Sequence, residues 1–167
     1  FPHRDLESSL ALTAVLDAIA DGNTSPLKRP IIASGLCENM YAYYSSGSAV
    51  GTLEVQFLNV ADGKYGELTE LFDSTLLGII EEGIDSEKIR AALSALEFKT
   101  RESDFGAYPR GMVYMSAALE FALLGEDPAA GFMYDSLFSS LRAKIGTEYF
   151  TELLAEALGV KEDTNGK

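Results

Sequence analysis

The segment from Gly51 to Arg101 constrains the fold more than any other part of the chain, because it carries two incompatible periodicities separated by a turn. In GTLEVQFLNV, Leu53, Val55 and Phe57 alternate with Thr52, Glu54 and Gln56, the two-residue period of a half-buried strand. From Gly66 to Glu82 the period changes. Leu68, Leu71, Phe72, Leu76, Ile79 and Ile80 recur at three and four residues, which places them on one stripe of an amphipathic helix. Gly83 stops that helix in the left-handed conformation expected at a helix C-terminus, and Ile84 is placed to fold back on the stripe. Asp85 or Ser86 caps a second helix through Ile89, Leu93 and Leu96 to about Arg101. The expectation is a strand with a hairpin of two helices lying across it.

The rest of the chain supplies cover. Asp5 is positioned to cap a helix to about Ala20, with Leu6, Leu10, Val15, Leu16 and Ile19 as its apolar content, and Asp21-Gly22-Asn23 stops it. Ser25-Pro26 reads as a cap followed by a first-turn proline, opening a helix that ends at Ser34-Gly35. Pro30 falls beyond that first turn, where it removes a backbone hydrogen bond, so this helix should be short or distorted. Glu38 to Tyr44, with Tyr41, Tyr43 and Tyr44, reads as a strand that forms a hairpin with the Gly51–Val60 strand across the Ser45-Ser46-Gly47-Ser48 turn. After the irregular connector ESDFGAYPRG, Pro109 starts a helix through Val113, Ala117 and Phe121, ended by Gly125. Asp127-Pro128 launches another, carrying Met133, Leu137, Phe138 and Leu141. A last helix presents Tyr149, Phe150, Leu153, Leu154 and Leu158 before Gly159, and KEDTNGK is a frayed tail. The fold class is therefore α+β and helix-rich, an antiparallel hairpin or sheet covered by about six helices, in a single domain over residues 1–160 with a disordered tail over 161–167.

A chain of 167 residues is long enough to bury a core of its own. Its formal charge of −13 repels nucleic acid and anionic membrane and attracts basic partners. One cysteine, Cys37, excludes an internal disulfide and points to a reducing compartment. No apolar run reaches the roughly 18 to 20 residues that span a bilayer. The chain opens with Phe1 rather than Met, which suggests a piece of a longer protein.

Catalytic schemes fall to arithmetic. His3 is the sole histidine, so no two-histidine zinc motif is present and neither a serine nor Cys37 has a histidine base. GSAVG at Gly47–Gly51 has its serine one position early for a nucleophile elbow. No phosphate-cradling glycine motif occurs. Glu81 and Glu82 point about 100° apart on a helix and do not face one substrate. Glu97 and Arg101, four apart, suit a surface ion pair. Charge, aromatic character and irregular backbone coincide at one place, Arg101, Tyr108 and Arg110, which are candidate peptide-contact residues, with structural packing as the competing reading. Catalytic and metal-ligating residues are expected to be absent.

The order of these segments resembles a known family. SPLKRPIIASGL at Ser25–Leu36, the strand, EEGIDSEKIRAALSALEFKTRE, DFGAYPRG, and DP before LFSSLR are similar to the non-catalytic second domain of pitrilysin/insulinase-type zinc metallopeptidases, in the presequence-protease-like branch. The family reads S-P-L-[YF]-K-x-L-x-E-S-G-L where this chain departs at Lys28, Arg29 and Pro30. The resemblance implies a parent of four related α+β domains enclosing a chamber, with zinc on another domain bound by an inverted H-x-x-E-H motif that maps onto no residue here. It also implies that the leading and closing strands of the sheet lie outside this segment, leaving an unpaired edge. What carries over is a non-catalytic, chamber-forming role in proteolysis, with no cofactor in this piece and Zn in the parent's catalytic domain. Its partners are then the other domains of the same parent and peptide substrates, basic ones in particular. Two rivals compete with this reading: a stand-alone helical protein–protein interaction module, and a small-molecule pocket built from Tyr41, Tyr43, Tyr44 and the strand face.

Overall fold

The computed structural model describes residues 6–22, 24–45, 51–102, 109–123, 125 and 127–160, apart from the side chains of 120 and 131. His3, Asp5, Tyr108 and the expected tail lie outside the described residues. Within them the chain forms α1 (Leu6–Ala20), α2 (Lys28–Ala33), β1 (Asn39–Ser45), β2 (Thr52–Leu58), α3 (Tyr65–Glu82), α4 (Ser86–Glu102), α5 (Arg110–Leu123), a 3-10 turn (Ala130–Phe132), α6 (Tyr134–Ala143) and α7 (Tyr149–Ala157). The architecture is the expected α+β one: a two-stranded antiparallel sheet among helices.

The hub is α1. Ten of its 15 residues are buried. Leu12, Val15, Leu16 and Ile19 lie on several sides of it, with Ala11, Ala14, Ala18 and Ala20 between them, so neighbours approach all round. It packs against β1, α4, α6 and α7. The strand-and-two-helix unit therefore does not organise the fold as its periodicity suggests. Its two helices have different main neighbours: α4 lies on α1, while α3 packs against α2 and α7. Gly83 separates them with φ 81° and ψ 157°. That is an extended glycine-only region rather than the left-handed helical cap the sequence suggests. Ile84 does fold back on the core, and its amide donates to Thr151 Oγ1 of α7 at 3.3 Å. Asp85 is the cap of α4, accepting from the Glu87 amide at 2.9 Å.

The hairpin register pairs Met40 with Phe57, Ala42 with Val55 and Tyr44 with Leu53, and these six side chains form the inward face. Phe57 meets Phe72 of α3 edge to face at 5.6 Å. Alternation turns Tyr41 and Tyr43 to solvent and Tyr44 inward. The three tyrosines therefore do not share a pocket, because strand geometry assigns them to opposite faces. Gly51 lies under the Tyr44 ring so closely that an added Cβ would sit 1.9 Å from its hydroxyl.

Two helix starts differ from their sequence signals. The Ser25 hydroxyl donates to the Gly22 carbonyl at 2.8 Å instead of capping, and α2 begins at Lys28. Pro30 consequently lies in the first turn, where its missing amide has no intrahelical partner to lose. Asp127 does cap, accepting from the Ala129 amide at 2.9 Å, but the turn it opens is 3-10. Met133, at φ −90° and ψ 53°, then breaks the chain before α6.

Two stability predictions follow from this packing. Gly51→Ala, which forces a methyl against the Tyr44 ring, is expected to cost about 1–3 kcal/mol in chemical denaturation. Burial raises the Asp17 carboxyl of α1 above its ordinary 3.8, with Asp21 adding and Lys99 of α4 opposing. The native state thus holds this proton more tightly than the unfolded chain, and stability from this group falls as pH rises through the window above 3.8. Asp17→Asn should raise Tm at neutral pH and give no gain below that window.

Candidate functional site

Charged side chains converge at three places, and the helices that carry them determine what each can do. Glu97, in the fourth turn of α4, is 7% exposed despite its charge. Its Oε1 accepts from Arg101 Nη2 at 2.8 Å and its Oε2 from Arg142 Nη2 of α6. Arg101 also donates to Asp135 Oδ1 at 2.7 Å. The expected Glu97–Arg101 pair exists, but it is not a solvated surface pair. Burial of the carboxylate under α6 and a second guanidinium make it a clamp between two helices.

The second cluster joins the ends of the chain. Glu7 Oε1 accepts from Lys144 Nζ at 2.6 Å and from Ser140 Oγ at 2.8 Å, tying α1 to α6 and the turn that follows it. Lys144 lies 3.9 Å from the centre of the Tyr149 ring. The Glu7 hydrogen bond chiefly, opposed by partial burial, holds the ammonium above its ordinary 10.5. On the outer sheet face, the Tyr43 hydroxyl donates to Glu54 Oε2 at 2.7 Å and accepts from Gln56 Nε2 at 2.8 Å, and the Glu54 bond raises its ordinary 10.0.

The third place is a cleft of about 820 Å³ between the C-terminal end of α3 and α7. Leu77, Ile80, Ala155 and Val160 contribute apolar walls, and Glu81, Glu82, Glu148, Glu152 and Glu156 supply carboxylates. Glu81 and Glu82 are exposed, as their adjacency on a helix requires. The cleft was not legible in sequence, because its two walls are far apart in the chain; Glu148, just before α7, with Glu152 and Glu156 at four-residue spacing within it, is the signal that marks one wall.

Of the three candidate contact residues, Arg101 is engaged with Glu97 and Asp135, Arg110 is exposed on the first turn of α5, and Tyr108 lies outside the described residues. Cys37 is buried and unpaired, and burial pushes its thiol up from 9.0. Among the described residues no group of three or more His, Cys, Asp and Glu side chains could hold a metal ion. No described helix is long and apolar enough to cross a membrane. The Glu97 and Glu7 clusters lock helices together, and among the described residues these hydrogen bonds include no nucleophile–base pair.

Comparison with known proteins agrees with that geometry. The family described as the peptidase M16 inactive domain matches residues 1–96. Protein HypA of Clostridium perfringens is 26% identical over 150 residues, covering 90% of this chain and 15% of its own. The chloroplastic/mitochondrial presequence protease 1 of Arabidopsis thaliana is 32% identical over 149 residues, covering 86% and 13%. The chain thus spans about one-seventh of the length of these curated relatives. Among solved structures, the inactive peptidase domain of a candidate zinc protease from Bordetella parapertussis superposes with a TM-score of 0.65 at 13% identity, over 95% of this chain and 80% of that one. A candidate zinc protease from Bordetella pertussis gives 0.63 at 14% identity, over 92% and 78%.

The clamp at Glu97 generates an asymmetric prediction. Arg142→Ala deprives a buried carboxylate of a charged partner and should cost about 1.5–3 kcal/mol. Glu97→Leu removes the buried charge and leaves arginines that reach solvent, so its cost should be below about 1 kcal/mol by urea unfolding.

Proposed function

The chain belongs to the peptidase M16 inactive-domain family, and from that premise we propose that it is a chamber-forming, substrate-enclosing domain of a larger zinc-dependent metalloendopeptidase. The observation that carries this reading is the family match over residues 1–96 together with the fold shared with the inactive peptidase domain from Bordetella parapertussis. Such a domain contributes surface rather than chemistry. It shapes the space into which a peptide must fit while zinc and the general base reside on another domain, and its partners are the remaining domains of the same parent. The single-domain reading of residues 1–160 belongs to the same proposal, as does a cytoplasmic or organellar-matrix setting.

The charge of −13 supports basic peptides as the substrate class, since a field of this sign concentrates cations near the enclosing walls. Arg101, Tyr108 and Arg110 are proposed to meet the peptide's carbonyl or carboxylate groups where the connector leaves α4 and enters α5. Arg110, exposed on the first turn of α5, is the most available of the two described.

Peptide hydrolysis by the full-length parent is expected to vanish on chelation and return with zinc, while the 167-residue chain alone hydrolyses nothing. Metal-independent hydrolysis by the isolated chain, or a parent with no metal-dependent activity, sinks the proposal. In the parent, Arg110→Ala should raise KM for a peptide about fivefold with kcat unchanged, the equivalent of the roughly 1 kcal/mol of an exposed contact. For basic peptides KM should also rise with salt; a flat salt profile removes the electrostatic part of the reading.

A further inference from the structure

Helix α5 has two apolar stripes where a surface helix needs one. Val113, Ala117 and Phe121 are half-buried, and Tyr114 meets Phe132 of the 3-10 turn edge to face at 5.7 Å. Met112, Met115, Leu119 and Leu123 recur at three- and four-residue spacing along another face, and they are 50%, 63%, 52% and 77% exposed. No described side chain of α5 is buried, and the 3-10 turn is its principal neighbour. Charge is also scarce here. Arg110 and Glu120 are the only charged residues of the helix's 14, in a chain whose net charge is −13. Four large apolar side chains in one line, without interspersed charge, form the kind of patch that soluble surfaces avoid unless it is covered.

We propose that the Met112–Met115–Leu119–Leu123 stripe seats this domain against an apolar surface of the same parent polypeptide, outside these 167 residues. The inference rests on the reading of the chain as one domain of a longer protein. Two observations select that occupant. The curated relatives devote only 13–15% of their length to the matching region, so most of a comparable parent remains to supply the covering surface. A second copy is disfavoured because it would bring together two chains of −13 each. A tethered neighbour, by contrast, is present at an effective concentration in the millimolar range, where even one helix face of apolar contact is sufficient.

Methionine oxidation tests this directly, because Met112 and Met115 lie in the stripe and Met40 is fully buried in the core. The full-length parent is treated with dilute peroxide, and each methionine is followed by peptide mapping against the same protein in denaturant. Met112 and Met115 are expected to oxidise about tenfold or more slowly in the native parent, as Met40 does. Leu119→Glu in the parent should restore rapid oxidation at both while Met40 stays slow, the slow Met40 reporting that the domain is still folded. If Met40 becomes fast in that variant, the wild-type rates alone decide. Rates at Met112 and Met115 close to the denatured ones overturn the proposal. Protection that fades on dilution overturns it too, by assigning the cover to a second copy. Zinc-dependent hydrolysis is measured separately, so a parent that is active with an uncovered stripe rejects this surface and leaves the enclosing role intact.

Discussion

Burial of α1 on nearly all sides is the constraint from which the rest of the structure follows. A helix that presents leucine, valine and isoleucine to several directions, with alanine between, cannot be satisfied by one neighbour. It recruits the hairpin, α4, α6 and α7, and the polar groups at its margins are arranged to permit this. Glu7 is neutralised by Lys144, and Asp17 near the other end is left carrying a burial cost that Lys99 only partly offsets. A two-stranded ribbon is marginal in water by itself, so β1 and β2 depend on the helix as much as they cover it.

Much of this was legible because local signals and tertiary packing agreed. The alternation of Leu53, Val55 and Phe57 gives β2, the stripe from Leu68 to Ile80 gives α3, and Asp85 caps α4 as its position indicates. Where reading and structure part, a longer-range effect intervenes. The centrality of α1 is hidden because alanine adds little to an apolar stripe but permits close approach from every side. Pro30 looks disruptive only until the Ser25–Gly22 hydrogen bond delays the helix by a few residues. Glu97 looks solvated because nothing local to α4 reveals that α6 will lie over it.

The functional reading has a different basis. A single histidine leaves this segment without a two-histidine zinc motif or a histidine-based triad, yet exclusion alone names no role. The role comes instead from kinship, and the family match over residues 1–96 rests on segments made of turn and packing residues rather than on a catalytic motif. The candidate site is correspondingly diffuse. Arg101 is engaged with Glu97 and Asp135, the acidic cleft joins walls distant in sequence, and the outer sheet face closes its hydrogen bonds on itself through Tyr43.

The tie between Glu7 and Lys144 spans 137 positions of chain, and it is one of several contacts that the first helix makes with the last two. On the ribosome α1 emerges long before α6 and α7, and at roughly 5–20 residues per second that interval is on the order of ten seconds. The most apolar helix of the domain is therefore the one that waits longest for its complete set of neighbours. During that interval it is a natural client for chaperones, and slowed translation anywhere before α6 lengthens its exposure.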